Sequence, residues 1–262
     1  MSDETRRFAL GLYAVSVLKQ AKVQAITGML GDTQGLRCLD IGGDNGVVSL
    51  LLRERGGSWA SADLDDRTVA SIRELVGTDV VRFDGTHLPF PDATFDRVVI
   101  VDMLEHLPED RALVAETRRV LRPGGRLLVN VPHLKPHSLL NRVRHAAGLT
   151  DEKHGHVRPG YSVASLREVL APHFMLVRHA TYSRFFSEGI DTAMTLAYEA
   201  TAKGKTPSGN KGTVVTQADA ASRKGSFRAL RAAYPMLRAV ASLDGLLFLQ
   251  PGYKLIAEAV PA

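Results

Sequence analysis

Four aspartates and two histidines stand along the first half of the chain at positions where they could act on a small molecule. Asp40 leads into a glycine-rich run, Ile41-Gly42-Gly43-Asp44-Asn45-Gly46. Asp63, Asp84 and Asp102 each close a short extended-looking segment, Glu105-His106 follows the last of them, and His133 follows another. A carboxylate accepts two adjacent hydroxyls well, and a charged hydrogen bond contributes roughly 1.5–3 kcal/mol. Glycine lets backbone approach a ligand closely, and Gly42 and Gly46 can adopt positive φ. Histidine titrates near neutral pH and suits a general base. Taken singly, an Asp at a strand end reads as a turn or cap residue. Their shared register reverses that reading. The turn does not spell the dinucleotide pattern G-x-G-x-x-G, because Asp44 occupies the place of a spaced glycine.

The elements that must position these residues are legible in the apolar spacing. Phe8, Leu12, Val15, Leu18, Ile26 and Leu30 recur mostly at helical intervals, which predicts one or two helices ending near Gly31. Strand and helix then alternate. "LRCLDI", "SWASAD", "DVVRFD", "DRVVIV" and "GRLLVNVP" read as strands. "GVVSLLLRER", "RTVASIRELV" and "EDRALVAETRRVLR" read as helices; Asp65 or Asp66 caps the second, and "PGG" stops the third. Several strands are nearly all apolar, as in a parallel sheet covered on both faces. Beyond Pro132, "HSLLNRVRHAAGL" and "SVASLREVLAPH" are helical around the loop "TDEKHGHVRPGY", and "FMLVRHATYS" and "YKLIAEAVP" are strands. Residues 203–226 are rich in Lys, Gly, Thr and Ser and read as a mobile basic loop.

The chain has 262 residues, 45% of them apolar, enough for one α/β domain with an elaboration or at most two domains. A formal charge of +5 makes acidic partners plausible. The lone cysteine, Cys38, rules out an internal disulfide and, inside an apolar strand, reads as a small core residue in a reducing cytoplasm. The N-terminus places acids before its basic pair and makes a poor signal peptide. No uncharged apolar run reaches the length of a membrane span.

Five features occur in order: the Asp40–Gly46 turn, Asp63, Asp84, "HLPFPDATFDRVVIVDMLEHL" and "LRPGGRLLVNVP". Together they closely resemble the class I S-adenosylmethionine-dependent methyltransferases, and within them the branch that includes ubiquinone and menaquinone methyltransferases. The register holds over Leu36–Pro132 and more loosely beyond. The resemblance implies a Rossmann-like, doubly wound α/β fold: seven strands, mostly parallel with an antiparallel last strand, and helices on both faces. It divides the chain into N-terminal helices over the cleft (1–35), the core (36–182), a variable helical insert (183–252) and a final core strand (253–262). It implies S-adenosyl-L-methionine as cofactor, held by Asp40, Gly42, Gly43, Asp44, Gly46, Asp63, Leu64, Asp84, Gly85, Asp102 and Met103. Asp63 would take the ribose hydroxyls and Asp84 the adenine amino group. Leu64 and Leu88 would sandwich the base, with Asp102 and Met103 near the methionine part. Asp44 stands where the family usually has glycine. It tolerates left-handed backbone, and either pairs with the ligand's ammonium or caps the next helix.

His106 matches the histidine that many relatives carry near the transferring methyl, and His133 would face the same cleft. These two are the candidate catalytic residues. His154 and His156 sit in the loop over the acceptor side. His-x-His with His133 has metal-ligand character, but the acidic ligand pattern of cation-dependent O-methyltransferases is missing, and no metal is expected. The expected activity is methyl transfer to a small-molecule acceptor at oxygen. A lipid or quinone acceptor at an anionic membrane surface is a second reading, from the apolar and basic stretch "FRALRAAYPMLRAVASLDGLLF". A nucleic-acid or protein acceptor rests on basicity alone, and nucleic acid is disfavoured, since no RNA-binding module or aromatic stacking patch accompanies the basic charge. A non-catalytic cofactor-binding relative is the third reading, and only Asp44 favours it.

Overall fold

The computed structural model describes residues 3–43, 45–151, 153, 155–201 and 224–262. Asp44, His154 and residues 203–223 of the expected basic loop lie outside the described residues. Seven strands form one sheet: β1 (Arg37–Ile41), β2 (Ser58–Asp63), β3 (Val80–Arg82), β4 (Phe95–Val101), β5 (Leu121–Pro132), β6 (Phe174–Tyr182) and β7 (Lys254–Pro261). Their order is β3-β2-β1-β4-β5-β7-β6. β1 to β5 pair in parallel, and β7 runs antiparallel to both neighbours, β5 and β6. The expected sheet is therefore present, including the antiparallel last strand.

Side-chain alternation divides the core between the two faces. Val98, Ile100, Leu127, Val129 and Val131 pack on one face with α5 (Asp110–Val120) and α7 (Val163–Leu170). Val99, Val101 and Leu128 pack on the other with α1 (Asp3–Tyr13), α2 (Val17–Leu30), α3 (Val47–Arg53) and α4 (Asp66–Val76). Cys38 is buried on this second face. Burial on both sides explains why β4 reads as an unbroken apolar run. Local capping starts the helices: Ser16 accepts from the Lys19 amide, and Asp65, not Asp66, accepts from the Thr68 amide at 2.9 Å.

One boundary differs from the sequence expectation. α5 ends at Val120, before "PGG", and Leu121 already pairs with Phe95. The pairing resumes at Arg97 and Arg126, so Pro123-Gly124-Gly125 forms an irregularity inside β5 and does not itself end the helix. Pairing with β4 outweighs the helical spacing of Leu121 and Arg122 at that point.

The remaining helices follow β5 in the chain. They are α6 (Leu139–Ala146), α8 (Phe185–Thr201) and α9 (Lys224–Ser242), followed by a 3-10 turn, Leu243–Leu247. α9 begins at Lys224, inside the segment read as a loop. Among the described residues no helix is long and apolar enough to cross a membrane.

Candidate active site

The parallel strands β1 to β5 end along one edge of the sheet, where open α/β sheets bind ligands. The glycine turn lies there, after β1, and its glycines are demanded by the protein itself. Gly42 has φ +92°, and a Cβ there would stand 2.1 Å from the Val101 carbonyl oxygen of β4. Gly46 has φ +84° and opens α3, with no room for a Cβ against the Ile72 backbone, 2.8 Å away. A Cβ on Gly43 would strike Ser49 Oγ at 2.4 Å. The backbone at Gly42, Gly43 and Gly46 is thus pressed against β4, α3 and α4.

The predicted acids separate into distinct roles. Asp40 is buried and turned inward. It accepts from the hydroxyls of Ser49 and Ser61, each at 2.9 Å, and from Arg53 at 3.3 Å. Burial raises its pKa, against the lowering effect of Arg53 and the two serines. It anchors the turn from beneath. Asp63 is fully buried at the end of β2, with one carboxylate oxygen accepting from the Leu64 amide at 2.7 Å. Asp84 is exposed. Its Oδ1 accepts from the His87 amide (2.7 Å), the Thr86 amide (2.8 Å) and the Thr86 hydroxyl (2.9 Å), which hold the carboxyl down at about 2. Gly85 follows with φ +95°, against Leu107 and Leu64. Leu64 is partly buried, whereas Leu88 is fully buried in the core.

Asp102 takes a left-handed φ of 43°, a conformation of the kind that clusters at functional sites. It forms an ion pair with Lys22 of α2 and accepts from Asn130 at 3.0 Å. Burial opposes its ionisation, yet Lys22 and Lys254 hold its carboxyl well below the usual range. Tyr182 donates to Asn130 Oδ1 at 2.6 Å, and burial followed by the Asp102 charge pushes its hydroxyl well above the ordinary tyrosine value. Met103 is fully buried directly behind Gly42.

The two candidate catalytic histidines are held by different loops. His106 ends a short 3-10 turn, Leu104–His106, and its Nδ1 lies 3.0 Å from the Gly155 carbonyl. His133 Nδ1 lies 2.8 Å from the Gly252 carbonyl. His156, which the sequence grouped with His133, packs its ring edge-to-face on His106 with centroids 4.8 Å apart. Arg158 clamps the loop that carries His156. It donates to the Leu104 and Pro108 carbonyls and to Asp110 at 2.6 Å, and Tyr161 donates to the same Asp110 oxygen at 2.7 Å.

Beside these loops opens a cavity of about 780 Å³. Its lining includes His133, Lys135, Arg144, His156, Glu188 and Asp191. Glu188 is buried and paired with Arg144 at 2.7 Å. Burial, then the charge of Glu188, raises the Asp191 carboxyl. Sequence reading passed over Lys22, Asn130, Arg158, Tyr182, Glu188 and Asp191. Only Arg158 had a local signal, its place in the "KHGHVRPGY" loop.

A seven-stranded sheet of this order, five strands parallel and β7 antiparallel to both neighbours, with a glycine turn after β1, is a Rossmann-like fold. Residues 39–129 match the family model of a methyltransferase domain. The chain is 34% identical over 132 residues to a fatty-acid O-methyltransferase of Mycolicibacterium smegmatis, covering 48% of this chain and 44% of that protein. It is 36% identical over 109 residues to a demethylmenaquinone methyltransferase of Clavibacter sepedonicus, covering 40% and 44%. The chain thus matches less than half the length of each of these relatives. A solved structure from Galdieria sulphuraria, described as a putative sarcosine dimethylglycine methyltransferase, matches the fold with a TM-score of 0.58 at 14% identity, over 98% of both chains.

The residues present fit the cofactor that this family implies. The bare turn at Gly42 and Gly43 can approach a ligand. Asp63 supplies acceptors suited to a diol, and the carboxylate of Asp102 suits a nearby cation. Asp40 is committed to the protein interior.

Proposed function

We propose that the protein transfers a methyl group from S-adenosyl-L-methionine to the oxygen of a small-molecule acceptor. The observation that carries the reading is the cavity of about 780 Å³ beside the strand ends, walled by histidines and charged side chains. When bound, S-adenosylmethionine supplies a methyl group made electrophilic by a sulfonium. The chain's own contribution is placement and proton handling. The glycine turn and Asp63 hold one end of the cofactor. Asp102, fixed by Lys22 and Asn130, sets a negative charge where a cation would lie. Orientation of this kind accounts for much of the rate in bimolecular transfer. His133, in the wall of the cavity, accepts the hydroxyl proton. Oxygen as the target is supported by this histidine and by the O-methyltransferase relative. Calorimetric titration with S-adenosylhomocysteine tests the cofactor half. Binding in the wild type that disappears in Asp63→Ala supports it, and a folded wild type that does not bind refutes it.

An acceptor drawn from an anionic membrane surface is a second reading, favoured by one patch. Leu246, Phe248 and Leu249 are 75%, 69% and 85% exposed, and Arg231 and Arg238 of the preceding helix are exposed too. Flotation with anionic vesicles tests it, and binding that does not respond to salt or to Leu249→Asp would count against it.

A further inference from the structure

Glu105, His106 and His156 each offer one ligand atom, and the three atoms lie within 4.8 Å of one another. We propose that these residues form a divalent transition-metal site at the wall of the acceptor cavity. The inference rests on the acceptor-cavity reading for its function, but not for its chemistry.

The donor set is two imidazoles and one carboxylate. It suits zinc and its first-row neighbours, and not calcium or magnesium, which favour shells of oxygen. Bonds of about 2.0–2.2 Å place the donors of one tetrahedral ion roughly 3.3–3.6 Å apart. Small rotations of the three side chains therefore close the gap around an ion. Glu105 is fully buried, which keeps its carboxylate away from bulk water beside the two imidazoles.

The surroundings are those of metal ligands. The Gly155 carbonyl, 3.0 Å from His106 Nδ1, can only accept a hydrogen bond. It fixes Nδ1 as protonated and leaves the lone pair on Nε2. The Asp151 carboxylate lies 3.8 Å from His156 Nδ1, the place of an outer carboxylate beside a ligating imidazole. The frame is held on both sides. The Val157 amide donates to the Glu105 carbonyl at 2.9 Å, and Arg158 donates to the Leu104 carbonyl at 3.0 Å. Two chain segments about 50 residues apart are thus locked together at the donors.

Three protein donors leave one position for another ligand. His156 lines the acceptor cavity, so that position opens toward the acceptor. An acceptor hydroxyl bound there has its pKa lowered and releases its proton to solvent. This gives the site a means of generating the oxygen nucleophile that does not depend on an unassisted histidine base.

The test uses the full chain, stripped with chelator and titrated with Co²⁺ while the visible absorption is followed. The expected result is one equivalent bound with d–d bands, displaced by one equivalent of Zn²⁺. His106→Ala and His156→Ala each weaken binding by at least roughly the 10–100-fold that loss of an outer-shell partner costs. His179→Ala, on the exposed side of β6, leaves it unchanged. Glu105→Gln keeps the volume and guards against a folding artefact, with thermal melting as the control. Co²⁺ affinity that is the same in wild type and in the His106→Ala/His156→Ala double variant overturns the proposal. S-adenosylhomocysteine titrations on the same samples separate the two readings. Metal binding without cofactor binding supports the site and refutes methyl transfer; cofactor binding without metal binding refutes the site alone.

Discussion

The two ends of the cleft are built from different materials. At the cofactor end the shape is made by backbone: Gly42, Gly43 and Gly46 are wedged against β4, α3 and α4 at distances that leave no space for a methyl group. At the acceptor end it is made by side chains from separate elements, joined by ion pairs such as Arg158–Asp110 and Arg144–Glu188. A backbone site is hard to vary without losing the fold. A side-chain site can be refitted one residue at a time.

The same substitution made at each end gives the largest contrast. Gly42→Ala places a Cβ 2.1 Å from a strand carbonyl at φ +92°. Backbone strain and overpacking together should cost about 3 kcal/mol or more. Gly189→Ala, inside α8 with nothing within 4 Å of its would-be Cβ, should stabilise by about 0.5–1 kcal/mol. Scanning calorimetry reads both. Equal signs would break the comparison.

Removing the acceptor-side clamp comes next. Arg158→Ala leaves Asp110, the Tyr161 hydroxyl and the Leu104 carbonyl without their shared donor. It should cost about 2 kcal/mol in denaturant unfolding. Limited proteolysis should then cut first between Leu149 and Tyr161, with the sheet core still protected.

Lys22→Met sharpens the boundary between the two ends, because Lys22 reaches from α2 to Asp102. The carboxyl of Asp102 is depressed in the folded state, so its stabilisation is present above the unfolded value of about 3.9. It is lost as the pH falls through the lower, folded value. Without Lys22 the folded value rises and the loss begins at higher pH. The acid-unfolding midpoint should move upward, with about 1–2 kcal/mol lost at neutral pH.

The smallest effect is on reactivity. Burial pushes the Cys38 thiol up to about 12. In native protein at pH 8 it should resist a disulfide reagent, and it should react fully once the chain is unfolded in urea.

Much of the cofactor end was legible because its signals are local. Gly42 and Gly46 permit positive φ, and both adopt it. Asp65 declares a cap through its own side chain. The apolar run of β4 declares a strand buried on both faces. The acceptor end carried no such marks. Lys22 on α2 reads as one more solvated lysine. Glu188 and Asp191 read as the polar face of an amphipathic helix, and that face lines the cavity. "PGG" misplaced a helix end because pairing between Leu121 and Phe95 overrode local propensity.

The sequence by itself determined the order of strands and helices, the bare turn after β1 and the acids at the strand ends. Each of these depends on interactions within a few residues, or on the two- and 3.6-residue periods that burial imposes. Only the tertiary structure decided that Asp40 faces inward, that Lys22 neutralises Asp102, and that His156 meets His106 and not His133. Those pairings join residues 9 to 80 positions apart. Contacts at such separations are set by how the layers pack, and no local pattern encodes them.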